Sequence, residues 1–328
     1  MKRYYLTVRT GYTLYNYRVH DIWRLLNNDP NIKKVHCSSV QDLLAFIKKY
    51  HHKSTVCLLV YYYQHPDTFI LDILDRVNEY TTFRMKLVFF TFDYWPRPDN
   101  PYNNIRKVIY KAKNHYVVTF AKNLSQLEDL HDMGYADYAR KLIFFNLWCC
   151  YESSFVPFNE NPINKICVSG AVSSAYPERI RLCKLQNVIR LPIKKTEVRT
   201  PNNIYNKRIN EYIACFASSV HVHSLTTKKK VNTHLILLKV FEILAAGSLL
   251  LCPKSEKPCL KKMGLISMKN CILLAPHSSS LTIQYITNPN NREIIDGIRR
   301  QGQEYARNHL NSATRYAQLF TILESYLH

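Results

Sequence analysis

Residues 237–253, Leu-Leu-Lys-Val-Phe-Glu-Ile-Leu-Ala-Ala-Gly-Ser-Leu-Leu-Leu-Cys-Pro, constrain the fold more than any other stretch. Leu238, Phe241, Leu244 and Ala245 fall on one helical face. Gly247 reads as a helix stop, and the apolar run after it reads as a buried strand. A short helix that feeds a buried strand through a glycine is one step of a parallel sheet. Lys239 and Glu242 stand three residues apart and so share a side of that helix. A cation and a carboxylate on the early turns suit a phosphorylated, hydroxyl-rich ligand. The helix N-terminus attracts a diphosphate, and the carboxylate accepts sugar hydroxyls. The same spacing also fits a surface ion pair on an ordinary packing helix.

The step recurs along the chain. Strand patterns at 4–8, 56–62, 86–91, 116–119 and 141–145 alternate with helical ones at 20–26, 39–50, 68–80, 104–113 and 125–133. After 153–164, a Pro- and Asn-containing segment without periodicity that reads as a linker, the alternation restarts. Strands are expected at 165–169, 187–191, 219–223, 248–252 and 271–274. Helices are expected at 177–185, 207–216, 234–246 and 257–263, with two closing helices at 291–308 and 312–326. This predicts an α/β fold of two Rossmann-like, doubly wound domains facing a cleft. The boundaries expected are 1–158, 159–310 and a closing helix over 311–328 that packs back toward the first domain. Ligands of such sheets sit beyond the carboxyl ends of the strands.

Composition narrows the setting. A chain of 328 residues exceeds one typical core. Its 45 Lys+Arg against 24 Asp+Glu, a formal +21, predict weak, nonspecific binding to polyanions. The ten cysteines form no C-x-x-C pair, and Cys57, Cys167, Cys252 and Cys271 lie in apolar runs. That pattern predicts reduced thiols in a cytoplasmic protein. No apolar run reaches the ~18 residues that a spanning helix needs. Frequent Lys, Asn, Tyr and Ile suggest an AT-rich genome, such as that of a large DNA virus, and hence a host cytoplasm.

Four further stretches bear on chemistry. Val168-Ser-Gly170 ends a strand, and Tyr176-Pro-Glu-Arg179 opens a helix. Gly170 lets backbone approach a phosphate and Arg179 can clamp one, although a plain strand–turn–helix looks the same. Asp93-Tyr94-Trp95, after a strand of the first half, is a sugar-binding composition or the packing of that domain's own edge. His221-Val-His223 puts two imidazoles on one face of a strand, but no third ligand has a fitting offset, so no metal is expected. Lys228-Lys-Lys230 is a solvated loop or a lid over an anion. The absence of G-x-G-x-x-G and G-x-x-x-x-G-K-[ST] argues against dinucleotide and P-loop binding.

In order, Gly170 with Tyr176–Arg179, Glu211–His223, Lys239–Gly247, Arg299-Arg-Gln-Gly302 and Arg315 resemble the C-terminal domain of GT-B glycosyltransferases. The group in question shares an [RK]-x-x-E-x-x-x-x-G donor-site helix. The likeness covers about residues 163 to 320. It implies a nucleotide-sugar donor held mainly by the second domain, with Glu242 on the ribose and Lys239 on the phosphates. Gly170 takes the place of the glycine beneath the diphosphate, and Arg179, His223, His234 and Gly247 complete the donor side. Gly11, Asp93, Tyr94 and Trp95 fall on the acceptor side, and Lys239, Glu242 and Asp93 are the catalytic candidates. Such enzymes usually need no metal or other cofactor. Many retaining relatives carry a glutamate eight residues before the one matching Glu242, where this chain has His234. The expected activity is transfer of a sugar from a nucleoside-diphosphate sugar to a hydroxyl of a glycan, protein or small molecule. The alternative is a catalytically silent, basic GT-B-like protein that binds nucleic acid or acts as a scaffold.

Overall fold

A computed structural model of the chain describes residues 3–9, 25–26, 28–37, 39–60, 67–80, 84–90, 116–119, 142–145, 148–191, 202–219, 221–223, 230–232 and 236–327. The chain divides into two compact units. The first comprises Met1–Leu147, Val222–Val231 and Tyr316–His328, the second Trp148–His221 and Asn232–Arg315.

In the first unit six strands form one parallel sheet in the order β2-β1-β3-β4-β5-β6. They are β1 (Arg3–Arg9), β2 (Ile32–Cys37), β3 (Thr55–Val60), β4 (Lys86–Phe90), β5 (Tyr116–Thr119) and β6 (Leu142–Phe144). Val56, Cys57 and Leu58 in β3, and Leu87 and Val88 in β4, are runs of adjacent buried residues. Unbroken apolar runs of this kind mark strands covered on both faces. Helices α1 (Val40–Tyr50) and α2 (Asp67–Asn78) accompany the sheet. Helix α1 starts at a capping box, in which the Ser39 hydroxyl accepts from the Asp42 N–H and the Asp42 carboxylate accepts from the Ser39 N–H. Strand β2 is absent from the sequence reading. It is an edge strand that buries only its end residues, so it lacks the apolar run that marks its neighbours. The helices expected at 104–113 and 125–133 lie outside the described residues.

The second unit holds a parallel sheet in the order β13-β12-β9-β7-β8. Its strands are β7 (Ile163–Val168), β8 (Val188–Arg190), β9 (Tyr212–Phe216), β12 (Leu249–Pro253) and β13 (Ile272–Leu274). Between β9 and β12 in sequence, β10 (His221–His223) and β11 (Lys230–Asn232) pair in a separate two-stranded sheet, whose residues Val222–Val231 belong to the first unit. The helices are α3 (Pro177–Leu182), α4 (Asn202–Asn210), α5 (Leu238–Ala245), α6 (Lys257–Lys262), α7 (Ser279–Thr287), α8 (Arg292–His309) and α9 (Ser312–Leu327). The unit boundary falls inside α9. From there on, the Tyr316 hydroxyl donates to the Asp29 carboxylate at 2.5 Å within the first unit.

Strand alternation splits the core of the second unit in two. Cys167, Cys215, Leu250 and Cys252 face Ile209 of α4 and Val240, Phe241 and Leu244 of α5. Ile166, Val168, Ala214, Phe216, Leu249 and Leu251 face Leu182 of α3, Ile283 and Ile286 of α7, and Ile295 and Ile298 of α8. Helices therefore cover both faces, which is the doubly wound arrangement.

Two local differences from the sequence reading have physical causes. The helix expected at 207–216 ends at Asn210, and Tyr212–Phe216 is a buried strand. A five-residue apolar run fits either period, and burial on both faces decides for the strand. The segment expected as a linker, 153–164, is tied down. Gln303 Nε2 donates to the Val156 carbonyl, Asn210 Nδ2 to that of Pro157, and Arg299 Nη2 to that of Asn159. Side chains serve its backbone, so it needs no periodic pattern of its own.

Candidate donor site at the carboxyl edge of the second sheet

From β7 the chain runs to β8 on one side and then returns to β9 on the other, so the topological switch lies between β7 and β9. The crevice beyond such a switch is the standard ligand position of open α/β sheets. Gly170, two residues past the end of β7, has φ +90°. A Cβ there would lie 2.7 Å from Lys239 Cε, 3.3 Å from Lys239 Nζ and 3.2 Å from Arg179 Nη1. The missing side chain thus lets two cations reach the same turn of backbone.

Each cation is fixed by a different element. Arg179 rides on α3, which Pro177 opens, and is 2% exposed. Its Nη1 donates to the Ala171 carbonyl at 3.0 Å and its Nη2 to that of Ser218 at 3.2 Å. The guanidinium lies 3.9 Å from the ring centroid of Tyr176. Burial pulls its pKa below the ordinary arginine value, opposed by Tyr176, Tyr205 and Glu256. Lys239 stands in the first turn of α5, where no side chain caps the helix and no acid is present. Its Nζ donates to Tyr205 Oη at 2.6 Å, and Tyr205 donates onward to Ser169 Oγ at 2.7 Å.

Two carboxylates complete the neighbourhood. Glu242, one turn further along α5, is 1% exposed, and among the described residues neither of its oxygens has a hydrogen-bond partner. Lys239 and Glu242 therefore form no hydrogen-bonded ion pair, and Glu242 is not at the surface. Glu256, in the turn after β12, accepts from the Ser219 N–H at 2.6 Å. Burial pushes its pKa up to about 7, against the pull of the Ser219 hydrogen bonds and Arg179. The Ser218-Ser219 turn after β9 thus takes Arg179 on one side and serves Glu256 on the other.

Of the residues expected from sequence, Gly170, Arg179 and Lys239 converge, and Glu242 lies on the same helix. Gly247 does not join them. It sits at the opposite, amino edge of the sheet with φ +70°. There its N–H donates to the Leu244 carbonyl, the Ser248 N–H donates to that of Ile243, and Arg299 Nε donates to the Gly247 carbonyl. That is a Schellman stop braced by a cation at the helix C-terminus, a folding role. His223 lies in β10, its side chain outside the described residues, as are Gly11, Asp93, Tyr94, Trp95 and His234 altogether. Sequence reasoning missed Tyr205 and Glu256. Glu256 had one visible signal, as the lone acid between Lys254 and Lys257 just past a buried strand.

No protein-family model and no curated protein matches the chain. Solved structures do. An α-glucosyltransferase in complex with UDP-glucose and DNA containing an abasic site is similar with a TM-score of 0.58 at 11% identity, over 98% of each chain. Anabaena Alr3699/HepE in complex with UDP is similar with a TM-score of 0.56 at 10% identity, over 99% of this chain and 100% of HepE. The fold is that of the GT-B glycosyltransferases. The pneumococcal O-GlcNAc transferase GtfA also matches, with a TM-score of 0.47 at 12% identity, and this chain spans 60% of its length. The two parallel sheets described above are the Rossmann-like halves of the GT-B fold. Among the described residues no group of three or more His, Cys, Asp or Glu is placed to hold a metal ion, and no helix is long and apolar enough to cross a membrane. All ten cysteines are free thiols.

Proposed function

We propose that this chain is a glycosyltransferase that moves a sugar from a nucleoside-diphosphate donor to a hydroxyl acceptor. The observation that supports it best is the meeting of Gly170, Arg179 and Lys239 at the switch point, with Glu242, which has no hydrogen-bond partner among the described residues, one turn behind. In the reaction the bond from the anomeric carbon to the diphosphate oxygen breaks, and a bond to the acceptor oxygen forms. The acceptor loses its hydroxyl proton, and the nucleoside diphosphate leaves with the electron pair. Arg179 and Lys239 offset that negative charge, together with the uncapped first turn of α5. The two Glu242 oxygens accept the two ribose hydroxyls. Asp93, Tyr94 and Trp95, with Gly11, are assigned to the acceptor on sequence grounds, and His223 and His234 to the donor sugar.

UDP is the first nucleotide to test, since HepE and the α-glucosyltransferase were solved with UDP and UDP-glucose. Calorimetric titration of UDP, and then of the other common nucleoside diphosphates, into wild type and Lys239→Ala tests the reading. Loss of one charge-assisted contact to phosphate is worth roughly 1.5–3 kcal/mol, or about one to two decades in Kd. Equal affinity in both proteins would count against the site. The +21 charge supports a second reading, a GT-B-like protein that binds nucleic acid without catalysis. Tight, sequence-selective nucleic-acid binding at physiological salt, with no nucleotide binding, would favour it.

A further inference from the structure

Tyr205 belongs to no motif in the sequence, yet it sits between the two halves of the donor site. Lys239 Nζ lies 2.6 Å from its hydroxyl and 4.9 Å from its ring centroid. The hydroxyl donates in turn to Ser169 Oγ, on the residue just before Gly170. Three elements thus meet in one chain of hydrogen bonds: the end of β7, α4 and the first turn of α5. The direction of that chain is fixed by chemistry. An ammonium only donates, so the tyrosine oxygen accepts from Lys239 and its own proton goes to Ser169.

The geometry points to Tyr205 as a positioning residue that holds the Lys239 ammonium over Gly170 and so makes the site select a diphosphate over a monophosphate. The inference rests on the donor-site reading above and deepens it. A free lysine side chain has large rotamer freedom, which a ligand must remove on binding. Tyr205 removes part of it beforehand, holding the ammonium by one of its donors. The ring adds a cation–π contact on the same side. The phenol must stay neutral for this to work, because a phenolate would cancel the lysine charge. Burial, and then the nearby Glu242, hold the Tyr205 pKa above its ordinary value, which keeps the hydroxyl protonated.

The test uses the full chain and four proteins: wild type, Tyr205→Phe, Lys239→Ala and the double variant. Each is titrated with the di- and monophosphates of uridine, guanosine, adenosine and thymidine. Phenylalanine keeps the ring and removes only the hydroxyl that anchors the ammonium. The expected result is a loss of about 3–10-fold in diphosphate affinity, with monophosphate affinity unchanged. In the Lys239→Ala background the same substitution should have no further effect, a coupling that a merely structural tyrosine would not show. Equal losses for di- and monophosphates, or additive losses in the double variant, would overturn the positioning role and leave the donor site standing. If wild type binds none of the nucleotides, the donor-site reading falls, and the role of Tyr205 with it.

Discussion

Glu242 gives the sharpest test, because its two expected effects have opposite signs. The carboxylate is 1% exposed and neither oxygen meets a hydrogen-bond donor among the described residues. An unmet buried acceptor costs about 1–3 kcal/mol, and more when charged. Glu242→Leu removes both acceptors at similar volume, and Glu242→Gln keeps the shape but replaces one acceptor with an N–H2 donor. The leucine change should therefore stabilise the second unit, by about 2 kcal/mol. For a unit of this size that is roughly 2–4 °C per kcal/mol in melting temperature. The same variants should lose the ribose contacts and bind nucleoside diphosphate about 10–100-fold more weakly. Differential scanning calorimetry without ligand and isothermal titration with UDP read the two effects separately. A site residue kept at the expense of stability shows a gain in one and a loss in the other. A residue that serves the fold shows a loss of stability in both variants with affinity intact, and that outcome would refute the assignment.

Gly170→Ala places a Cβ 2.7 Å from Lys239 Cε on backbone at φ +90°. It should cost about 1–2 kcal/mol in stability from the backbone alone, while the displaced lysine lowers diphosphate affinity about tenfold or more; unchanged affinity would separate the glycine from the site. The folded-state pKa of Glu256 is raised from 4.5 to about 7, so the stability of its protonated form is fully present below about 4.5 and lost as pH rises through 7. Glu256→Gln should therefore melt alongside wild type at pH 4.5 and above it at pH 8, by up to ~3 kcal/mol; parallel curves across that range would contradict the burial argument. If Arg179 and Lys239 supply the positive charge at a bound diphosphate, transfer should proceed unchanged in EDTA, and restoration of lost activity by Mg2+ or Mn2+ would show that they do not.

The sheet of the second unit was legible because strands buried on both faces leave unbroken apolar runs, as in 249–252 and 213–217. Period alone misled where such a run follows a helix directly, at Asn210 to Tyr212. Helix α7 was not read at all, since Ser279–Thr287 mixes hydroxyls with few apolar residues and shows only a weak stripe. In the candidate site, the convergence of Gly170, Arg179 and Lys239 was legible because their placement is local: a glycine after a strand and cations in first helical turns. Tyr205 and Glu256 were not. Tyr205 meets Lys239 only because α4 lays it across the first turn of α5. Glu256 matters only because the Ser218-Ser219 turn, 37 residues earlier, turns its N–H toward the carboxylate. Gly247, read from the sequence as a helix stop, is one, and it lies on the far edge from the other motif residues.

The choice between a ligand site and an ordinary packing helix turns on what the buried polar atoms lack. Native interiors satisfy nearly all such atoms, and each exception asks for a cause. In the second unit Arg179 Nε, Ser218 Oγ and both Glu242 oxygens, along with Ser154 Oγ and Asn206 Oδ1, are buried and have no hydrogen-bond partner among the described residues. Arg179 and Ser218 are bonded to each other through the Ser218 carbonyl, and Glu242 lies one turn beyond Lys239 on α5. A surface ion pair would have left Lys239 and Glu242 exposed and joined. Instead the carboxylate is sequestered and the ammonium donates to Tyr205. A buried carboxylate with no donor among the described residues, one turn from a half-buried cation, costs stability that a ligand with both phosphates and hydroxyls would offset. A nucleoside diphosphate has both, at opposite ends of its ribose.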